Sequence, residues 1–136
     1  MTLETRVTAL ATDVADEFNT LRVEIGAKDV IDKGDVSGVV NINYSEGKLY
    51  FDGQVQKITP TANVTALTVS NWLATGKSSK LTLYIDLASA LTVDFGFVTG
   101  WAIGSAPTLA VGRNELVFTT IDGGAKIIGH AVALGI

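Results

Sequence analysis

The first 25 residues carry an apolar pattern that no later part of the chain repeats. Apolar side chains recur there at steps of three or four residues, without glycine or proline. Thr2 is a suitable N-cap, Glu4 lies in the first turn where a carboxylate favours the helix dipole, and Gly26 is a typical C-terminal stop. The pattern therefore predicts one helix over residues 3–25. Its apolar ridge consists of Leu3, Val7, Leu10, Val14, Phe18, Leu21 and Ile25.

The narrow ridge is typical of a helix that packs against other helices. Its steps form two 11-residue units, which average about 3.67 residues per turn and make the seam nearly straight or slightly right-handed. A helix of this length is marginally stable alone in water, so it needs a partner. That partner is either the chain's own sheet or identical helices of other chains in a parallel bundle. We favour the bundle, because the ridge is slender and the terminal helix is joined on through a polar segment.

The pattern changes to a period of two after the polar, turn-rich segment at 27–38. Apolar and polar residues then alternate, most clearly in Lys80–Leu87. This alternation is typical of strands with one buried face. It predicts strands at 39–44, 48–58, 64–69, 80–87, 91–97, 115–121 and 126–134.

Turn residues between these segments predict how the strands connect. The segments 45–47 and 122–124 are short and contain glycine, which is typical of hairpins, and the proline in 59–61 predicts a break. Short strands at this spacing predict an antiparallel β-sandwich or a jelly-roll-like domain. The chain then divides into an oligomerisation helix at 1–26, a linker or collar at 27–38 and a β-sandwich knob at 39–136.

The last predicted strand has two contrasting faces. One is apolar around the single histidine, and the other consists mostly of small side chains, which let another backbone come close. Tight packing inside the domain and a contact between subunits explain the small face equally well. We include that face, together with the ridge, in the predicted oligomer interface. The apolar face consists of Ile128, His130, Val132 and Leu134. The small-residue face consists of Ile127, Gly129, Ala131 and Ala133.

Composition and charge narrow the classes of function. The 136 residues suit one domain, and their 47% of apolar types excludes a disordered tail. The net charge of −4 leads us to expect neither nucleic acid nor a membrane as a partner. No apolar run is long enough to span a bilayer, and no secretory signal is evident. The absence of cysteine excludes disulfides and thiolate metal sites.

Candidate catalytic groups are few. His130 is the only histidine, so a metal site or an acid–base pair lacks partners. There is no Gly-x-Ser-x-Gly motif, and the glycines are scattered through turns rather than grouped before a helix. The carboxylates of Asp52, Asp86 and Asp94 fall on or beside predicted strands, where exposure to solvent explains them. We expect no enzymatic activity, no metal and no cofactor.

The aromatic residues suggest one further kind of site. Trp72 and Trp101 are expected to anchor the core of so small a domain. Tyr50 and Tyr84 alternate away from the main apolar rows of their strands. They are therefore the candidate residues for contact with a ligand such as a sugar.

Four segments in order resemble a β domain that recurs in fibres, spikes and head-decoration proteins of tailed bacteriophages. They begin at Gly34 (GDVSGVVNINYSEGKLYF), Ala62 (ANVTALTVSNW), Trp101 (WAIGSAPT) and Glu115 (ELVFTTIDGGAKIIG). The resemblance covers roughly residues 34–130. It implies a virion structural protein, usually a homotrimer, without enzymatic activity or catalytic residues.

The ridge and this resemblance together lead us to expect a phage structural protein with a helical stalk and a β knob. It would be a homotrimeric fibre, spike or capsid-decoration protein in the virion. Its expected partners are its own copies and capsid, neck or baseplate proteins. The alternative is a receptor- or glycan-binding tip of a tail fibre, with a host-surface glycan as its partner.

Overall fold

The computed structural model describes residues 2–26, 29–47 and 53–136 of the protein. Tyr50 and the side chains of residues 19–26, including those of Leu21 and Ile25, lie outside this description. The described chain forms one N-terminal helix and one six-stranded sheet. The predicted mainly β class with an N-terminal helix is therefore confirmed.

The helix α1 comprises Leu3–Gly26, in agreement with the predicted helix. Thr2 caps its start: the Thr2 hydroxyl accepts a hydrogen bond from the backbone N–H of Thr5 at 3.2 Å. The Thr2 carbonyl accepts a bond from the N–H of Arg6. Glu4 lies in the first turn, where its charge favours the helix dipole. Local interactions of the sequence thus define where α1 begins.

The sheet combines parallel and antiparallel pairs in the spatial order β1-β2-β3-β5-β6-β4. β1–β2, β2–β3 and β4–β6 are parallel, whereas β3–β5 and β5–β6 are antiparallel. The prediction of an antiparallel sandwich or jelly roll is therefore wrong for the three parallel pairs. Alternation shows which face a residue occupies, but it carries no information on the direction of the neighbouring strand. The strands are β1 Val30–Asn43, β2 Gln54–Ser70, β3 Ser79–Leu87, β4 Gly100–Trp101, β5 Gly112–Thr120 and β6 Ile128–Ala133.

The parallel pairs give the sheet a solenoid-like arrangement. Val30 pairs with Val55, Val55 pairs with Thr82, and an isolated bridge joins Val64 to Val93. The partners are separated by similar lengths of chain, so successive passes of the chain lie beside one another. Such winding buries a common core between passes.

The connection between β1 and β2 is not the predicted hairpin. Gly47 does adopt a positive φ of 71°, as a turn requires, but the two strands run in parallel. β2 is also one strand rather than two, because it continues through Pro60. Pro60 lies beyond the β2–β3 pairing, which ends at Ile58, so its missing N–H costs no bond to β3. β1 begins at Val30, so residues 30–38 of the predicted linker are strand.

The last hairpin is confirmed. β5 and β6 are antiparallel and flank the predicted Asp-Gly turn. The Asp122 carboxylate accepts bonds from the Thr120 hydroxyl and from the backbone N–H of Lys126, both at 2.9 Å. These bonds hold the pKa of Asp122 below its ordinary value, with the bond from Lys126 N–H contributing most.

The core lies under β3 and β5, whose alternate side chains are buried as predicted. The predicted strand at 91–97 is instead an irregular segment whose only bridge among the described residues is that of Val93. Its rings cover β5: Phe97 and Phe95 lie 5.0 and 6.1 Å from the ring of Phe118. The buried apolar side chains are Val40, Ile42, Tyr44, Ile58, Val64, Leu67, Leu81, Leu83, Ile85, Leu87, Phe95, Leu116, Phe118 and Ile127.

Candidate assembly surface

The apolar ridge of α1 is exposed along its described length. Phe18 is 61% exposed, although an aromatic ring of that size is normally buried in a folded domain. The other described ridge residues are exposed to a similar or greater extent. They are Leu3 at 78%, Val7 at 58%, Leu10 at 64% and Val14 at 57%.

The chain's own sheet does not cover this ridge. Within the described residues, no strand packs against α1. The alternative of an amphipathic helix lying on its own sheet is therefore wrong for this structure. Burying a ridge side chain contributes at most about 1.5–3 kcal/mol, before the conformational entropy lost on ordering is subtracted. Burial of several such side chains against a partner would therefore stabilise a complex substantially.

The predicted small-residue face of the last strand is directed into the domain at Ile127, Gly129 and Ala131. Ile127 is 5% exposed, and Gly129 is buried against the indole of Trp101. A Cβ built on Gly129 would lie 2.6 Å from an atom of that ring, so only glycine fits there. Ala131 is partly buried and packs on the core. For these three residues, the structure therefore supports the first of the two explanations, tight packing inside the domain.

Ala133 differs from the rest of its predicted face because β6 contains a bulge. Leu116 pairs with Ala131, but the next residue, Glu115, pairs with Ala133. Val132 is the extra residue and is 57% exposed. A bulge of this kind shifts the following residues to the other face of the strand. The alternation of apolar and polar residues in the sequence does not reveal such a bulge.

Tyr84 lies on the outer face of the sheet beside a network of charges. The guanidinium carbon of Arg113 is 5.7 Å from the centre of the Tyr84 ring, a cation–π contact that leaves the ring partly buried. Arg113 also donates two hydrogen bonds to the Asp86 carboxylate, at 2.8 and 2.7 Å. The ammonium of Lys57 lies 3.7 Å from Asp86 and 3.2 Å from Asp32.

These contacts lower the pKa of two carboxyl groups. The pKa of Asp86 lies below its ordinary value chiefly because of the hydrogen bonds from Arg113. The pKa of Asp32 is lowered first by the backbone N–H of Gly34 and then by Lys57. Sequence reasoning missed this network, because its members come from four strands and only the register brings them together.

Both tryptophans pack against other rings, as expected for core anchors. Trp72 lies 5.0 Å from the ring of Tyr44. Trp101 makes edge contacts with Phe95 and Phe118, at 5.3 and 6.0 Å between ring centres. Neither ring therefore stands free in a groove, as a sugar-stacking platform requires.

The remaining candidate groups do not form a catalytic cluster in the described part of the chain. Asp86 is committed to Arg113, and exposed Asp94 accepts a bond from the N–H of Gly96. Asp52 lies outside the described residues. Over the ranges that the structure describes, no three histidine or acidic residues group as metal ligands. An open groove of about 570 Å³ lies beside Arg113, Leu87 and Ile136.

Among the described residues, no helix, α1 included, has the length and apolar character needed to cross a bilayer.

Comparison with known proteins gives no relative. No family model matches the chain, and neither a curated protein nor a solved structure shows significant similarity to it.

Proposed function

We propose that this protein is a virion structural protein of a tailed bacteriophage. In this proposal it assembles as a homotrimer, with the three α1 helices as a parallel bundle and the sheet as a knob. It serves as a fibre, spike or capsid-decoration protein and attaches to capsid, neck or baseplate proteins. The trimer number and the phage context rest on the four-segment resemblance in the sequence.

One observation carries the assembly part of this proposal: the described part of the apolar ridge, from Leu3 to Phe18, is exposed and no described strand covers it. An isolated helix of 24 residues is marginal in water. Packing three ridges together supplies both the missing stability and the specificity of partner. The 11-residue spacing suits nearly straight helices, which pack side by side over their whole length.

Among the described tyrosines and tryptophans, a glycan-binding tip has no comparable support. It would need an exposed platform of such rings, but Trp72 and Trp101 pack on other rings and Tyr84 lies against Arg113. We therefore propose the structural role alone.

The substitution Val14→Asp tests the proposal. It places a carboxylate in the middle of the seam, where removing an unpaired charge from water costs several kcal/mol. We expect at least about a 100-fold weaker association, measured as mass by light scattering over a dilution series. Circular dichroism should show that the β signal of the sheet is retained.

Thr12→Asp is the matched control, because it adds the same charge on the side of α1 opposite the ridge. We expect its mass to equal that of the wild type. Equal association of the wild type, Val14→Asp and Thr12→Asp would contradict the role of the ridge.

A further inference from the structure

The outer face of the sheet carries a row of side chains that crosses five strands. Val30 pairs with Val55, Val55 with Thr82, Thr82 with Val117, and Val117 with His130. Directly paired residues share a face of the sheet. We call these five residues the transverse row. Val30 is 52% exposed and the other four are partly buried.

The transverse row differs from the rows of the sheet next to it. On one side lies a mostly charged set of residues at the paired positions two residues away on each strand: Asp32, Lys57, Tyr84 and Glu115. Lys57 bridges Asp32 and Asp86 there. The paired charges of Asp32, Lys57 and Asp86 are less costly to bring near a protein partner than unpaired ones, and polar residues beside a less polar patch are typical of an interface.

Val30 lies close in the chain to the end of α1, and this position indicates which partner can contact the transverse row. Only three residues, and therefore four Cα–Cα steps, separate Val30 from Gly26, the last residue of α1. Four such steps in an extended chain span at most about 14 Å. In a helical bundle the axes lie about 8–10 Å apart, so each helix axis is within about 6 Å of the bundle axis, and a Cα atom lies about 2.3 Å from its own helix axis. Val30 is then at most about 22 Å from the bundle axis, which places the start of the row near the point where the chains converge.

We propose that the transverse row is a second contact between copies of this chain, directly below the helical bundle. This inference rests on the proposed function, because the bundle is what brings the copies together. The occupant of the row is the sheet domain of a neighbouring copy. The contact sets the orientation of the knobs relative to the stalk and limits their independent rotation.

Thiol labelling tests this contact, and the absence of native cysteine makes a single introduced thiol unambiguous. Val117→Cys places the thiol in the row on β5, far along the chain from α1. Its reaction with a maleimide is measured in the otherwise wild-type chain and in the chain that also carries Val14→Asp. The mass of each sample is measured under the same conditions. Thr82→Cys is the second row variant, in case Val117→Cys fails to fold.

Val39→Cys is the matched control, because Val39 is also a valine on a strand but is 77% exposed and lies outside the row. We expect the row thiol to react about tenfold more slowly in the trimer than in the Val14→Asp monomer. The control thiol should react at the same rate in both.

Each outcome has a distinct meaning. A trimer whose row thiol reacts as fast as in the monomer overturns this inference and leaves the proposed function standing. A monomeric wild-type chain overturns both. If Val14→Asp leaves the trimer intact, the proposed role of the ridge fails. In that case slow labelling of the row thiol, relative to the same trimer diluted to monomers, supports the row alone, and unchanged labelling overturns it.

Discussion

Two apolar surfaces of this chain have similar composition and opposite environments. Phe118 in the sheet is fully buried and contacts the rings of Phe95, Phe97 and Trp101. Phe18 on α1 is 61% exposed and has no strand over it. The comparison teaches that the sheet completes its own core within one chain, whereas the described ridge of α1 is left uncovered and is buried by a second molecule only in our proposal. Stability and assembly should therefore respond to different substitutions.

The largest expected effect comes from the matched pair Phe118→Ala and Phe18→Ala. Truncating a buried phenylalanine costs about 3–5 kcal/mol of unfolding free energy, whereas truncating an exposed one changes it by about 0.5 kcal/mol or less. Urea unfolding followed by tryptophan fluorescence measures this difference. Both substitutions should be made in the Val14→Asp chain, which we expect to be monomeric. A comparable loss for Phe18→Ala would show that the ridge packs on its own chain after all.

A smaller effect is expected at Gly129 on β6, a position for which the sequence left packing inside the domain and contact with another subunit equally open. Gly129→Ala would force a methyl group against Trp101, and overpacking of this kind costs about 1–3 kcal/mol. Gly100→Ala is the control, because a Cβ there meets nothing within 4 Å. In the monomeric chain, urea unfolding should give a lower free energy of unfolding for Gly129→Ala than for Gly100→Ala. Equal stability would mean that Gly129 is not packed inside the domain.

The smallest effect is expected from acid, and it should act on the sheet rather than on the ridge. The pKa values of Asp86, Asp32 and Asp122 are lowered in the folded chain from an ordinary value near 3.8. Their carboxylates therefore stabilise the fold above that pH, and the contribution is lost as the pH falls through the lower folded-state values. The melting temperature should be flat from about pH 5 to 7 and fall below about pH 4.

Arg113→Ala sharpens this acid prediction, because it removes both hydrogen bonds to Asp86. The variant should melt a few degrees lower at pH 7, and the difference from the wild type should shrink in acid. A difference that stays constant down to pH 2 would contradict the assignment to Asp86.

The sequence predicts local structure better than it predicts pairing. The bounds of α1, the alternation of β3 and the Asp-Gly hairpin depend on capping, period and turn chemistry, all of which act over a few residues. The parallel β1–β2–β3 pairing depends on contacts between residues far apart in the chain. Nothing in the alternation of β1 distinguishes a parallel neighbour from an antiparallel one.

The candidate surface divides in the same way. The ridge of α1 could be identified from its spacing, and its described members are exposed, while its role as an oligomer interface stays a prediction. The inward packing of Gly129 could not be predicted from the sequence, because it depends on where Trp101 lies in the folded chain. The transverse row was missed for the same reason: Val30, Val55 and Val117 become neighbours only through the register of the sheet.

The mass of the unmodified protein in dilute neutral buffer tests the central claim most directly. We expect native mass spectrometry or light scattering at micromolar concentration to give three times the 14.2 kDa chain mass. A single species of 14.2 kDa at that concentration would contradict assembly through the ridge.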